Sequence, residues 1–203
     1  MRKMIRRIGI CFFVGAFVWC VGVLADRNTL NEELIRLHVV ANSDSEADQA
    51  LKLRVRDAIM ASLNKAMSDV TDVEAAKAYI RENIPKIQQV ANTVLKEAGL
   101  QETAVVTFCR EAFDTRYYDT FTLPAGVYES LRVTIGEGQG RNWWCVVFPT
   151  LCIPVAAEEF SAVAAGAGFS DALNGALTGE YGYELRFFFL DVLGKVENIL
   201  CLE

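Results

Sequence analysis

A single histidine, His38, serves the whole 203-residue chain, and none of the six cysteines stands in C-x-x-C spacing with another. With one imidazole, any Ser-His-Asp or Cys-His catalyst must use His38 as its base, and a zinc site built on it would have to draw on scattered cysteines or carboxylates. Basic residues are also scarce once the extreme N-terminus is set aside: from Asp26 onward 16 Lys+Arg face 26 Asp+Glu. A body this acidic repels a phosphate backbone and anionic lipid alike, which argues against nucleic-acid binding. Internal repeats and low-complexity tracts are lacking too. What is present is globular: 52% hydrophobic and 23% charged residues, at a length that allows one domain or two small ones.

The N-terminus reverses the charge balance. Arg2, Lys3, Arg6 and Arg7 precede an uncharged run from Ile8 to Leu24, the pattern of a basic n-region and an apolar h-region. Val23 and Ala25 occupy the small-residue positions before a cut at Asp26. The run is also at the lower edge of what spans a bilayer, so residues 1–25 read as a signal peptide or an uncleaved anchor, with the basic flank inside. Export makes disulfides permissible. Cys109, Cys145, Cys152 and Cys201 lie in the exported body and allow three pairings. Cys145 with Cys152 is the expected pair, because the six intervening residues contain Pro149 and let the chain turn back.

Leu34–Ala41 (LIRLHVVA) is short and rich in branched residues, a largely buried strand. Ser45 with Asp48 resembles a capping box opening a helix to about Met67, with Ala50, Leu51, Val55, Ile59 and Leu63 at helical spacing. A second helix is expected over Val73–Glu82 and a third from Pro85 to a C-terminal cap near Gly99. Ala104–Arg110 and Leu131–Ile135 read as strands; the latter leads through Gly136-Glu137-Gly138-Gln139-Gly140-Arg141 into Asn142–Phe148, the pattern of a hairpin around a glycine-rich turn. Val127–Leu131 fits either a short helix or the first half of that hairpin. The stretch 156–182 is rich in Ala and Gly, and Tyr183–Leu202 carries an amphipathic pattern. The expected fold is α+β: an N-terminal strand, a helical hairpin region, an antiparallel sheet with a Gly-rich hairpin and a C-terminal helix, all preceded by the signal or anchor helix. Residues 26–203 form a single domain, with 156–182 as a candidate insert.

Chemistry finds little support. Asn42, Asp44, Glu46 and Asp48 alternate like a calcium loop, but Ala47 replaces the turn glycine and Leu53 the bidentate glutamate, which leaves a helix cap. The three glycines could cradle phosphate only ahead of a helix, and a Trp-rich strand follows them instead. Neither a metal nor a cofactor is expected. Trp143 and Trp144 point to opposite faces of their strand, and an outward Trp beside Arg141 and Asn142 is a natural partner anchor.

Three blocks together resemble the stage II sporulation protein R family of spore-forming Firmicutes: Leu34–Arg56 with its H-V-V-A-N-S-D-S core, Leu123–Ile135, and Gly136–Cys152 with N-W-W-C-V-V-F-P-T-L-C. Leu185-Arg186-Phe187-Phe188 also looks like the family. The resemblance implies a signalling protein rather than an enzyme, made in the forespore and exported into the space between its two membranes. There it would activate a membrane-embedded aspartic peptidase that processes the sigma E precursor. Membrane contact is expected only through the N-terminal segment or that partner. From residue type and turn position, the expected partner-binding surface carries His38, Asn42, Asp44, Arg132, Arg141, Asn142 and one of Trp143 and Trp144. The competing reading is an exported hydrolase using His38 as base with Cys145 or a serine as nucleophile.

Overall fold

A computed structural model describes residues 2–118, 120–149, 162, 164–166, 169–179 and 184–201. The chain opens with one long helix, α1 (Arg2–Glu33), that runs without a break through the expected cut between Ala25 and Asp26. Its apolar run is exposed, with Phe12, Phe13 and Phe17 about 70% accessible, and by length and composition it can cross a membrane. Its last turns behave differently, because Val23 and Leu30 are buried.

Strand β1 (Ile35–Val40) follows, then α2 (Glu46–Ala66) and α3 (Val73–Glu97). The α2 cap is as expected on one side: the Ser45 hydroxyl accepts the Asp48 N–H at 3.1 Å. Asp48 does not return the bond and instead accepts from Ser43 and Asn42. The two helices expected around Pro85 are one. Ala76, Ile80, Ile87, Ala91 and Leu95 form a single buried stripe on both sides of Pro85, and packing that stripe against the sheet outweighs the local break.

The strands are β2 (Ala104–Phe113), the short β3 (Arg116–Tyr117) and β4 (Thr122–Leu123), then β5 (Gly126–Ile135) and β6 (Asn142–Phe148). Val127–Leu131 is therefore strand. The main sheet has the order β2-β5-β1-β6, while β3 and β4 pair with each other. Pairs β2/β5 and β1/β6 are antiparallel, but β1 runs parallel to β5. The Gly-rich segment is thus not a hairpin. It joins β5 to β6 across the end of β1, which lies between them. Positive φ at Gly136 and Gly138 does reverse the chain, as expected of turn glycines, but by a wider path than a hairpin takes.

Alternation along each strand builds two cores. Ile35, Leu37, Val39, Val106, Leu131, Val133, Cys145 and Val147 meet α2 and α3 on one face. On the other, Phe113, Tyr128 and Val146 meet the end of α1, helix α4 (Asp171–Thr178) and helix α5 (Glu184–Cys201). The edge strand β2 is covered in part by α3, whose Asn92 and Gln88 side chains accept the Ala104 and Val106 N–H groups. The terminal helix α5 is present as expected, but of the positions expected on its apolar face Leu190 is buried while Val196 and Leu200 are exposed. Part of the stretch expected as an insert, including residues 156–161, lies outside the described residues, and α4 belongs to the remainder.

The second core depends on residues on either side of the expected cut. Asp26 is buried, forms an ion pair with Arg186 of α5 and accepts from the Ser170 hydroxyl at 3.2 Å. Arg27 pairs with Glu197, and Trp19 meets Phe189 edge-to-face at 5.1 Å.

Candidate functional site

The residues singled out from the sequence fall into two adjoining groups. The first surrounds the glycine-rich segment, where β1 and β5 end and β6 begins. Asn42 accepts the Glu137 N–H through Oδ1 at 3.0 Å and donates through Nδ2 to Asp48 at 3.1 Å. Its carbonyl accepts the Gln139 N–H, and that of Ala41 accepts the Gly140 N–H. Asp44 accepts the Arg141 N–H at 2.6 Å and faces Arg141 Nε at 3.4 Å, both side chains being exposed. Lys52 donates to the Arg141 carbonyl at 2.9 Å from the first turns of α2. The A-N-S-D-S and G-E-G-Q-G-R segments are thereby one hydrogen-bonded rim.

Glycine is required here by contact as well as by φ. A Cβ at Gly140 would lie 2.2 Å from the Ser43 carbonyl oxygen, and one at Gly136 would lie 2.3 Å from Asn42 Oδ1. Hydrogen bonds from Ser43 and Asn42 hold the Asp48 carboxyl below the usual carboxylate range, keeping the acceptor charged. Asn142 is exposed at the start of β6.

The second group lies on the sheet face that carries α1 and α5. Glu111 of β2 is its centre: Oε1 accepts from His38 Nδ1 at 2.9 Å and from Arg132 at 3.0 Å, and Oε2 accepts from the Ser130 hydroxyl at 3.0 Å. Burial raises the Glu111 pKa, but the His38 and Ser130 hydrogen bonds and the charges of His38 and Arg132 outweigh it, and the net direction is down. An ionised carboxylate only accepts, so the shared proton sits on His38 Nδ1. His38 is buried and stacks on Trp144 at 3.7 Å, with Arg116 over the other part of this aromatic cluster at 4.6 Å from the Trp144 ring.

Arg36, two residues before His38, is fully buried. Its guanidinium lies 4.2 Å from the centre of the Phe113 ring and donates to Tyr118 at 2.9 Å. Trp143 points to the opposite face, packs on the first core and is covered by Arg56 at 4.3 Å. Both tryptophans are half-buried, so neither stands outward alone. Of the expected surface, Asp44, Arg141, Asn142 and part of Arg132 reach solvent, while His38 lies beneath them and Asn42 shapes the loop.

Glu111, Ser130, Arg116 and Arg36 were not singled out from the sequence. The available signal was a longer β2: alternation from Cys109 through Glu111 to Phe113 places all three on the His38 face. The same alternation separates His38 from Cys145, which lies opposite Leu37 and faces the first core. A His38–Cys145 catalyst is therefore ruled out by strand geometry. Ser130 does not complete a triad with His38 either. Its hydroxyl donates to the carboxylate rather than to the imidazole, whereas nucleophile activation needs the imidazole between the two. Cys145 is disulfide-bonded, and Cys152, its expected partner, lies outside the described residues. Cys109 is a free thiol at the surface.

The three sequence blocks quoted above form one structural unit: β1 with its loop and α2, then β5, then the rim and β6. A family model described as stage II sporulation protein R matches residues 31–158, which contain the entire main sheet together with α2 and α3. Stage II sporulation protein R of Bacillus subtilis (strain 168) is 40% identical over 121 residues, covering 60% of this chain and 54% of that relative. The chain thus matches about half the length of this curated relative. No solved structure matches. A match over more than half of the chain, which takes in both the rim and the Glu111 cluster, places it plainly: the chain belongs to the stage II sporulation protein R family.

Proposed function

We propose that this protein is an exported intercompartmental signal of endospore formation. It is made in the forespore and exported into the space between the membranes around it. There it activates the membrane-embedded aspartic peptidase that processes the sigma E precursor in the mother cell. Membership of a family of sporulation proteins carries the reading. The N-terminal apolar helix, which fits a signal peptide or an anchor, supports the export step. The role is binding rather than chemistry: contact with the peptidase shifts it toward its active arrangement.

The contact surface in this proposal is the rim. Asp44, Arg141 and Asn142 present charge and amide groups to solvent, with Arg132 beside them. Asn42 shapes that edge, and His38, Trp143 and Trp144 support it from within the sheet. The Cys145 disulfide, assigned here to Cys152, ties the end of β6 to the segment after it.

The test is co-expression, in a non-sporulating host, of the full chain, the peptidase and the sigma precursor, with precursor cleavage read on a gel. Cleavage that depends on the chain, and that falls at least tenfold with Arg141→Glu at equal protein level, is the expected result. The Asp44–Arg141 pair is exposed and contributes less than about 1 kcal/mol to stability, so the variant folds. Cleavage indifferent to the chain under matched expression refutes the proposal.

A further inference from the structure

Helix α5 is apolar on both sides: Phe187, Leu190 and Leu193 pack on the second core. Its inward face carries Leu190 but also Gly194, whose Cα packs directly on the Ala125 carbonyl, and Asn198, which donates to the Phe113 carbonyl at 2.8 Å. Its outward face is mostly apolar: Phe188, Val192, Val196, Ile199 and Leu200 recur at helical spacing, from 39% to 67% accessible, and Lys195 among them is turned to Asp191 at 2.7 Å. A helix that is hydrophobic on both sides needs a second apolar environment.

The position of α5 identifies that environment. The Phe189 ring contacts Trp19 at 5.1 Å, and Arg186 lies 3.5 Å from where a Cβ on Gly22 would sit. Both contacts fall on the last turns of the membrane-length apolar run in α1. Trp19 precedes Leu24 by five residues, or about 7.5 Å along the axis, which is the interfacial depth that tryptophan favours. The start of α5 is therefore held at the level where α1 leaves the hydrocarbon.

We propose that α5 is a second membrane element: its outward stripe lies in the surface of the bilayer that α1 enters, and it keeps the body on that surface. The chain is acidic, so the attachment rests on apolar burial rather than on attraction to anionic headgroups. The inference is independent of the partner proposed above.

The test uses the full chain in vesicles of phosphatidylethanolamine and phosphatidylglycerol containing an alkyne-tagged phospholipid. The photo-crosslinking residue p-benzoylphenylalanine replaces Val196 or Ile199, and Glu102, exposed beyond α3, serves as the control. Melting temperatures within about 2 °C of the parent keep the comparison on folded protein. Lipid adducts at Val196 and Ile199 at least tenfold above those at Glu102, and unchanged in about 1 M salt, are expected. Adduct levels equal to the control, or cross-links to a second copy of the chain in place of lipid, overturn the proposal.

Discussion

Replacing Glu111 by glutamine removes one negative charge from a side chain whose two oxygens serve three donors. Oε1 faces two of them, His38 and Arg132, while Oε2 faces only the Ser130 hydroxyl, which can rotate to accept. The cheapest orientation of the amide places its nitrogen toward Ser130 and keeps the oxygen on His38 and Arg132. The loss is then the charge-assisted part of those two bonds, about 1 kcal/mol for the buried His38 and less for the half-exposed Arg132. The sum of about 1.5–2 kcal/mol lowers the melting temperature of a chain this size by about 3–8 °C.

Alanine should do more harm, because it leaves all three donors without their acceptor, at a cost of about 3–5 kcal/mol. The pH dependence has a fixed sign. The folded Glu111 pKa is depressed, so its contribution is complete above the unfolded carboxylate value of about 4.3 and is lost as pH falls through the lower folded value. Thermal melts of parent and Glu111→Gln should differ at neutral pH and converge as pH approaches 3. A difference below about 0.5 kcal/mol at neutral pH, or one that persists unchanged into acid, refutes this account of the cluster.

Other outcomes follow from single contacts. Gly140→Ala drives a Cβ into the Ser43 carbonyl and should destabilise by about 2–4 kcal/mol in urea titration, against about 1–2 for Gly99→Ala, where φ is positive but the space is open. Asp26→Ala strands Arg186, which is 14% accessible, and should cost about 3 kcal/mol, read as earlier proteolysis of α5 at fixed protease. Alkylation should mark Cys109 in the native chain but Cys145 only after reduction and unfolding. Burial pushes the Cys109 thiol up, so its labelling should accelerate as pH rises through the alkaline range.

The signals that proved legible were local ones. Branched residues marked β1, the Ser45 cap marked the start of α2, and spacing marked α5. Pro85 misled because its cost is local, whereas the stripe from Ala76 to Leu95 that overrides it is satisfied only by the sheet. The glycine-rich segment misled in a related way. Turn chemistry at Gly136 and Gly138 specifies that the chain reverses, but it does not specify which strand lies between the two arms. Glu111 was missed because reading β2 as ending at Arg110 left it outside any strand, and a polar hub declares itself only when its three donors arrive from β1 and β5. His38 and Arg132 were singled out as surface residues for their chemistry, yet register places them side by side around that hub.

The insertion of β1 between β5 and β6 also sets an order of events. Residues 35–40 emerge early from a ribosome or a translocation channel, but both strands that flank them lie beyond residue 125. No sheet hydrogen bond to β1 can form until more than half of the chain has emerged. Until then Ile35, Leu37 and Val39 have no strand bonded on either side, and α2 and α3 of the same core wait with them. Pairing across so large a sequence separation is slower than forming local contacts. Emergence of β5 therefore permits the central sheet to start, emergence of the W-W-C-V-V segment completes it, and a chain halted before Trp143 would hold its helices without a completed sheet to pack on.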